Sequence, residues 1–161
     1  MQVDSPVATA LESMSVSHRV FTHPRPVTSF EQAAEERGQE PGQIVRSIVF
    51  RVKEGEYAMV LVAGKQQISW PVLRKLLGQK RISMASEEEV FEVTGYRRGA
   101  VSPFGEKLND MAIFIDESVQ QHEEVSLGSG VKGTTIILAS KDLVAALPQA
   151  QHVDVRKRTE S

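Results

Sequence analysis

Two stretches dominate the apolar pattern. Residues 44–52 carry Ile44, Val45, Ile48, Val49, Phe50 and Val52, and residues 57–62 carry Tyr57, Ala58, Met59, Val60, Leu61 and Val62. The first is a dense β-branched and aliphatic run that predicts a strand covered on both faces, and the second predicts a further strand. Glu54-Gly55 supplies a turn between them, so the pair is predicted as an antiparallel hairpin. Further strands are predicted over 17–22, 80–84, 111–116 and 134–138, with a weaker one ending at Val125-Ser126. Helices are marked by their caps. Ser5-Pro6 opens a short one reaching Met14, and Thr28-Ser29-Phe30-Glu31 has capping-box spacing ahead of a helix over 30–37 that Gly38 and Pro41 stop. Ser69-Trp70-Pro71 opens a helix to Leu77, Ser86-Glu87-Glu88-Glu89 a helix to Thr94-Gly95, and Ser140 a last helix that Pro148 ends.

Strands and short helices interleave irregularly around at least one hairpin. That predicts an α+β (mixed α/β) fold with a mixed sheet and flanking helices, not a doubly wound parallel sheet. A chain of 161 residues with 40% apolar content suffices for one sizeable core. Residues 1–150 are read as one domain, and the polar residues 151–161 as a C-terminal tail expected to fray.

One cation interrupts the first strand. Alternation places Arg46 on the same side as Ile44, Ile48 and Phe50, where an unpartnered guanidinium is costly. Two outcomes stay open at this level: a structural ion pair or outward-reaching side chain, or a ligand that answers the charge.

Composition removes several chemistries. With no cysteine there is no disulfide, thiolate zinc site or cysteine nucleophile. That is compatible with the cytoplasm, the expected location, without requiring it. The N-terminus carries Asp4 and neither a basic region nor a long apolar core, so no signal peptide is expected, and no window approaches a membrane span. His18, His23, His122 and His152 form no metal-binding pair, and no metal or cofactor is expected. No nucleophile elbow is present. Asp116-Glu117 and Glu123-Glu124 read as strand-end and turn charges. A net charge of −2 argues against bulk electrostatic attachment to nucleic acid, although the basic pairs Arg74-Lys75, Lys80-Arg81 and Arg97-Arg98 and the Arg156-Lys157-Arg158 run permit a sparse contact with an RNA end.

Two glycine loops remain. Gly99-Ala100-Val101-Ser102-Pro103-Phe104-Gly105 lets backbone approach a ligand, and its N–H groups suit a carbonyl oxygen or developing oxyanion. Gly128-Ser129-Gly130 is a candidate second wall, and tight connection is the alternative for both loops. The spacing of Gly128, Gly130 and Gly133 matches a dinucleotide fingerprint, but a strand and not a helix follows it, so that reading fails on context.

Taken in order, Glu31-Gln32-Ala33-Ala34-Glu35 with Gly38, residues 44–50, Thr94-Gly95-Tyr96, Gly99-Ala100-Val101-Ser102-Pro103, Asp116-Glu117-Ser118 and Gly128-Ser129-Gly130 with Gly133 resemble the YbaK/EbsC family over residues 20–147. These proteins are free-standing relatives of the editing domain of bacterial prolyl-tRNA synthetase. The resemblance implies a strongly twisted, partly barrel-like mixed sheet. It also implies hydrolysis of the ester joining a wrong amino acid to the 3′-terminal adenosine of a tRNA, with an alanyl- or cysteinyl-tRNA(Pro)-like substrate. The implied partners are the aminoacylated tRNA acceptor end and an aminoacyl-tRNA synthetase. Arg46 and Gly99 would be the catalytic positions. Ser29, Ser47, Ala100, Val101, Ser102, Pro103, Phe104, Gly128, Ser129 and Gly130 would bind substrate. Position 46 usually holds a lysine in the family. Arginine keeps the charge and offers a planar fork of donors, but it does not act as a base. A non-catalytic module that binds an aminoacyl-tRNA or a synthetase with the same fold is the competing reading, and a pocket for a small amino-acid-like ligand without RNA is a third.

Overall fold

The computed structural model describes residues 5–157, and the Asp4 and Arg158 readings lie outside it. The first four predicted helices each start at a serine cap. Helix α1 (Pro6–Ser13) starts at Ser5, whose Oγ accepts from Ala8 N at 3.0 Å and donates to Ser129 O at 2.7 Å, tying the helix to the distant glycine turn. Helix α2 (Phe30–Arg37) is capped by Ser29, which accepts from Gln32 N, and ends at Gly38 in the left-handed conformation (φ 70°) that favours glycine. Helix α3 (Trp70–Leu77) follows the Ser69 cap, and α4 (Glu87–Thr94) follows a complete capping box between Ser86 and Glu89. The last helix, α5 (Ser140–Ala145), corrects the prediction: Ser140 is its first residue and not its cap, its Oγ donates instead to His122 O at 2.6 Å, and Ala139 before it offers no side-chain cap.

The strands are β1 (Arg19–Thr22), β2 (Val45–Lys53), β3 (Glu56–Ala63), β4 (Ser83–Met84), β5 (Ala112–Asp116), β6 (Glu124–Gly128), β7 (Thr134–Ala139) and β8 (Gln151–Val153). They form an α+β fold with mixed pairing. The predicted hairpin β2–β3 is antiparallel, while β5 runs parallel to both β3 and β8. The expected single twisted sheet is divided into two, ordered β4-β2-β3-β5-β8 and β1-β7-β6, and one parallel bridge, Ile44 to Ser126, joins them.

The division follows from what each face buries. One core lies between the sheets and includes Val45, Val49, Met59, Leu61, Leu127, Ile136 and Leu138, closed by Leu11 of α1 and Leu143 of α5. A second core covers the other face of the five-stranded sheet. There Phe50, Val52, Val60 and Val62 pack on Leu73 of α3 and on Val155, with Phe50 and Trp70 edge to face at 5.5 Å. Each large side chain buried this way contributes about 1.5–3 kcal/mol.

The expectation of a frayed tail is corrected over residues 151–157. Strand β8 extends the sheet, and Val155 is fully buried. The cause is Asp116, a carboxylate with no exposed surface. Its oxygens accept from Ser118 N (2.9 Å) and Val155 N (2.8 Å), and Arg156 Nε lies 2.9 Å away. A buried carboxylate demands hydrogen-bond donors and a countercharge, and the tail supplies one of each, Val155 N and the Arg156 guanidinium. Asp116 is thus the strand-end charge expected, with a structural role. Among the described residues, no helix is long and apolar enough to cross a membrane, and no group of three metal-ligating side chains occurs.

Candidate active site at the open edge of a strand

Strand β2 is flanked by β3 along one edge, but among the described residues its other edge is paired only at the ends. The bridge from Ile44 to Ser126 closes one end, and β4 closes the other at Phe50 and Arg51. Between them opens a cleft of about 300 Å³. Its walls are residues 44–49, Arg37 at the end of α2, Ala85, Glu87 and Val90 at the start of α4, Gly99 and Val101, and Leu127, Gly128, Thr134 and Thr135 from the smaller sheet.

Arg46 stands opposite Val62 and shares a sheet face with Ile48 and Phe50, as alternation requires. Its Nη2 donates to the backbone carbonyl of Gln66, while its Nε is buried with no hydrogen-bond partner. Among the described residues no carboxylate pairs with it. Burial lowers its pKa from the ordinary arginine value, yet a guanidinium remains charged at neutral pH. Ser47 Oγ is likewise buried without a partner. Orphan polar atoms of this kind are rare in native structures, and here two adjacent residues of one cleft carry them.

The two glycine loops meet each other. Gly130 N donates to Ala100 O at 2.9 Å, and a Cβ at Gly128 would lie 2.1 Å from Val101 O, so only glycine fits. Gly99 has φ 87° with open space where a side chain would project. The loop is held from behind: Tyr96 OH donates to Phe104 O, and Ser102 Oγ accepts from Phe104 N. Of the predicted site residues, Arg46, Ser47, Gly99, Val101 and Gly128 converge on the cleft. Ala100 and Ser102 are buried behind its wall, and Pro103, Phe104 and Gly130 face a separate, wider groove beside α1. Ser129 is buried in a hydrogen-bond knot with Val131 and Thr134, and Ser29 is exposed at its cap, outside the cleft.

The cleft also holds groups that the sequence did not single out. Arg37 looks like an ordinary last-turn cation, but its Nε donates to His23 Nε2 (3.0 Å) and its Nη1 to Ser126 Oγ (2.9 Å), which turns it inward. Burial pushes its pKa down to about 10, against a smaller opposing pull from Glu36. Arg98 lines the exposed side, and Glu87 is the acidic residue of the lining. The signal for Arg37 was His23, whose partners are 13 and 14 residues away. The cleft therefore combines cations, an aligned strand edge and a glycine loop, a set suited to holding a polar acyl group.

Residues 24–146 match the aminoacyl-tRNA editing domain family, and the chain belongs to it. Among its relatives, the EbsC protein of Enterococcus faecalis, described as a candidate Cys-tRNA(Pro)/Cys-tRNA(Cys) deacylase, is 28% identical over 127 residues, 79% of this chain and 76% of that one. Proline–tRNA ligase of Limosilactobacillus fermentum is 34% identical over 114 residues, which cover 68% of this chain and 20% of the ligase. A solved structure described as a candidate trans-editing enzyme for prolyl tRNA synthetase superposes with a TM-score of 0.84 at 30% identity, covering 97% of this chain and 100% of that one.

Proposed function

We propose that this protein is a trans-editing deacylase that hydrolyses the ester of a mischarged tRNA, with a small acyl group such as alanyl or cysteinyl on a tRNA(Pro)-like acceptor end. The observation that supports this most directly is that Arg46 and Gly99 line one cleft, with Arg46 bound to a carbonyl and not locked to a carboxylate.

An aminoacyl ester is already activated, so positioning and oxyanion stabilisation matter more than a strong base. Water adds to the ester carbon, the bond to the ribose 3′ oxygen breaks, and the proton passes to that oxygen. Arg46 orients the ester or the adjoining phosphate through its fork of donors. The backbone at Gly99 and Val101 approaches the acyl carbon closely because no side chain intervenes at Gly99. The 300 Å³ volume suits a small acyl group with part of the ribose. A synthetase is the further partner, and the cytoplasm, where charged tRNA resides, is the location that fits.

The test is a panel of mischarged tRNAs, alanyl- and cysteinyl-tRNA(Pro) included, with wild type, Arg46→Ala, Arg46→Lys, Gly99→Ala and Gly99→Trp. The alanine variant carries the backbone strain of a left-handed residue without filling the cleft. Hydrolysis that survives Gly99→Ala and disappears in Gly99→Trp and Arg46→Ala is expected. Binding of every tRNA with release of no amino acid, in wild type and in Arg46→Lys alike, would instead establish the non-catalytic binding module.

A further inference from the structure

Strand β2 has an unfilled position. Ala63, opposite Val45, turns its N–H away from β2 to Ser118 Oγ (2.9 Å), and Val49 turns its C=O away from β3 to Ala85 N (3.0 Å). In an antiparallel pair the residues alternate between those that bond their partner and those that face outward. Val45 and Val49 face outward, so Ser47, midway between them, does too. Outward of Val45 lies the bridge at Ile44 to the smaller sheet, and outward of Val49 lies Ala85. Among the described residues no strand is paired outward of Ser47, and the cleft lies there.

We propose that the aminoacyl group docks on Ser47 as a single-residue extension of the sheet. An α-aminoacyl ester carries on one carbon what a strand residue carries, an N–H donor and a carbonyl acceptor. An antiparallel pair exchanges both bonds between two facing residues, and strand addition to an open edge is a general recognition mode. The ligand's amine donates to Ser47 C=O, and its ester carbonyl accepts from Ser47 N–H. That same N–H then faces the oxygen as negative charge develops on it.

Charge sets the direction. Antiparallel docking sends the amine toward Val49 and Ala85, and the ester and ribose toward Ile44. Glu87 stands two residues beyond Ala85, while Arg37 is bonded to Ser126, the bridge partner of Ile44. The cleft thus offers an anion at the ammonium end and a cation at the phosphate-bearing end. Recognition here is of the α-amino acid backbone, whatever the side chain, and the inference rests on the deacylase site proposed above.

The test uses a ¹⁵N-labelled full-length chain and an acceptor-stem RNA hairpin whose terminal 3′ oxygen is replaced by nitrogen, bearing alanine through the stable amide. A second hairpin bears propionate and so lacks the amine. The Ser47 amide is expected to shift downfield and exchange more slowly on saturation with the alanyl hairpin. The propionyl hairpin is expected to bind at least about tenfold more weakly, as the loss of a charge-assisted hydrogen bond implies. That ratio should shrink severalfold in Glu87→Gln. Movement of the Gly99 and Thr135 amides with Ser47 unmoved, or equal affinity for both hairpins, overturns strand-edge docking while leaving the site in place. Failure of the alanyl hairpin to move any cleft amide overturns the site itself.

Discussion

Arg37 Nε donates to His23 Nε2 at 3.0 Å, which makes His23 an acceptor on that nitrogen. Its proton therefore sits on Nδ1, 2.7 Å from Glu36 Oε1. Glu36, His23 and Arg37 form a hydrogen-bonded line from α2 to the cleft, with the imidazole as the link. The His23 side chain is 1% exposed, so the line is insulated from water at its middle.

Removing the cation should cost stability as well as binding. Arg37→Leu leaves His23 Nε2 and Ser126 Oγ without their donor, and the expected loss is roughly 1–3 kcal/mol. Arg37→Lys cannot serve both acceptors from one point charge and should recover less than half of it. Urea denaturation of the three forms measures this.

Glu36 makes acid sensitivity specific. The hydrogen bond from His23, then that from Gln32, holds its pKa near 2 instead of the usual 4.5. A carboxylate whose folded pKa is depressed contributes fully above its unfolded pKa, and the contribution is lost as pH falls toward the folded one. The stability difference between wild type and Glu36→Gln should therefore be constant above about pH 5 and shrink between 4.5 and 2. A difference that held steady down to pH 2 would mean that the carboxylate charge plays no part.

The contact between the two glycine loops predicts an asymmetry among glycines. A methyl at Gly128 meets Val101 O at 2.1 Å, whereas one at Gly133 meets nothing within 4 Å. Gly128→Ala should cost roughly 1–3 kcal/mol through backbone displacement and disturb the cleft with it. Gly133→Ala pays only for its left-handed backbone, about 1–2 kcal/mol, and should leave hydrolysis intact. Parallel melting curves and deacylation rates check both.

Deleting residues 151–161 tests the corrected tail. The truncation strips Asp116 of Val155 N and Arg156 and uncovers Phe50 and Val60 beside the lost Val155. Leaving a buried carboxylate uncompensated costs roughly 3–5 kcal/mol, so the truncated chain should denature at markedly lower urea. A tail that mattered little would leave the midpoint where it was.

Local chemistry made much of this protein legible from its residues alone. The hairpin of β2 and β3, the serine caps of α2, α3 and α4, and the glycine stops at Gly38 and Gly78 all depend on neighbours a few positions apart. The inward face of Arg46 follows from strand alternation, and the order of the motifs sufficed to indicate the family. The tertiary structure decided everything that needed a distant partner. Asp116 and Val155 are 39 residues apart, Arg37 and Ser126 are 89 apart, and Ser5 reaches Ser129 across 124. A buried charge or an open strand edge acquires meaning only from what packs against it. Packing, not pattern, drew the tail into the sheet, left Ser29 outside the cleft and brought Arg37 into it.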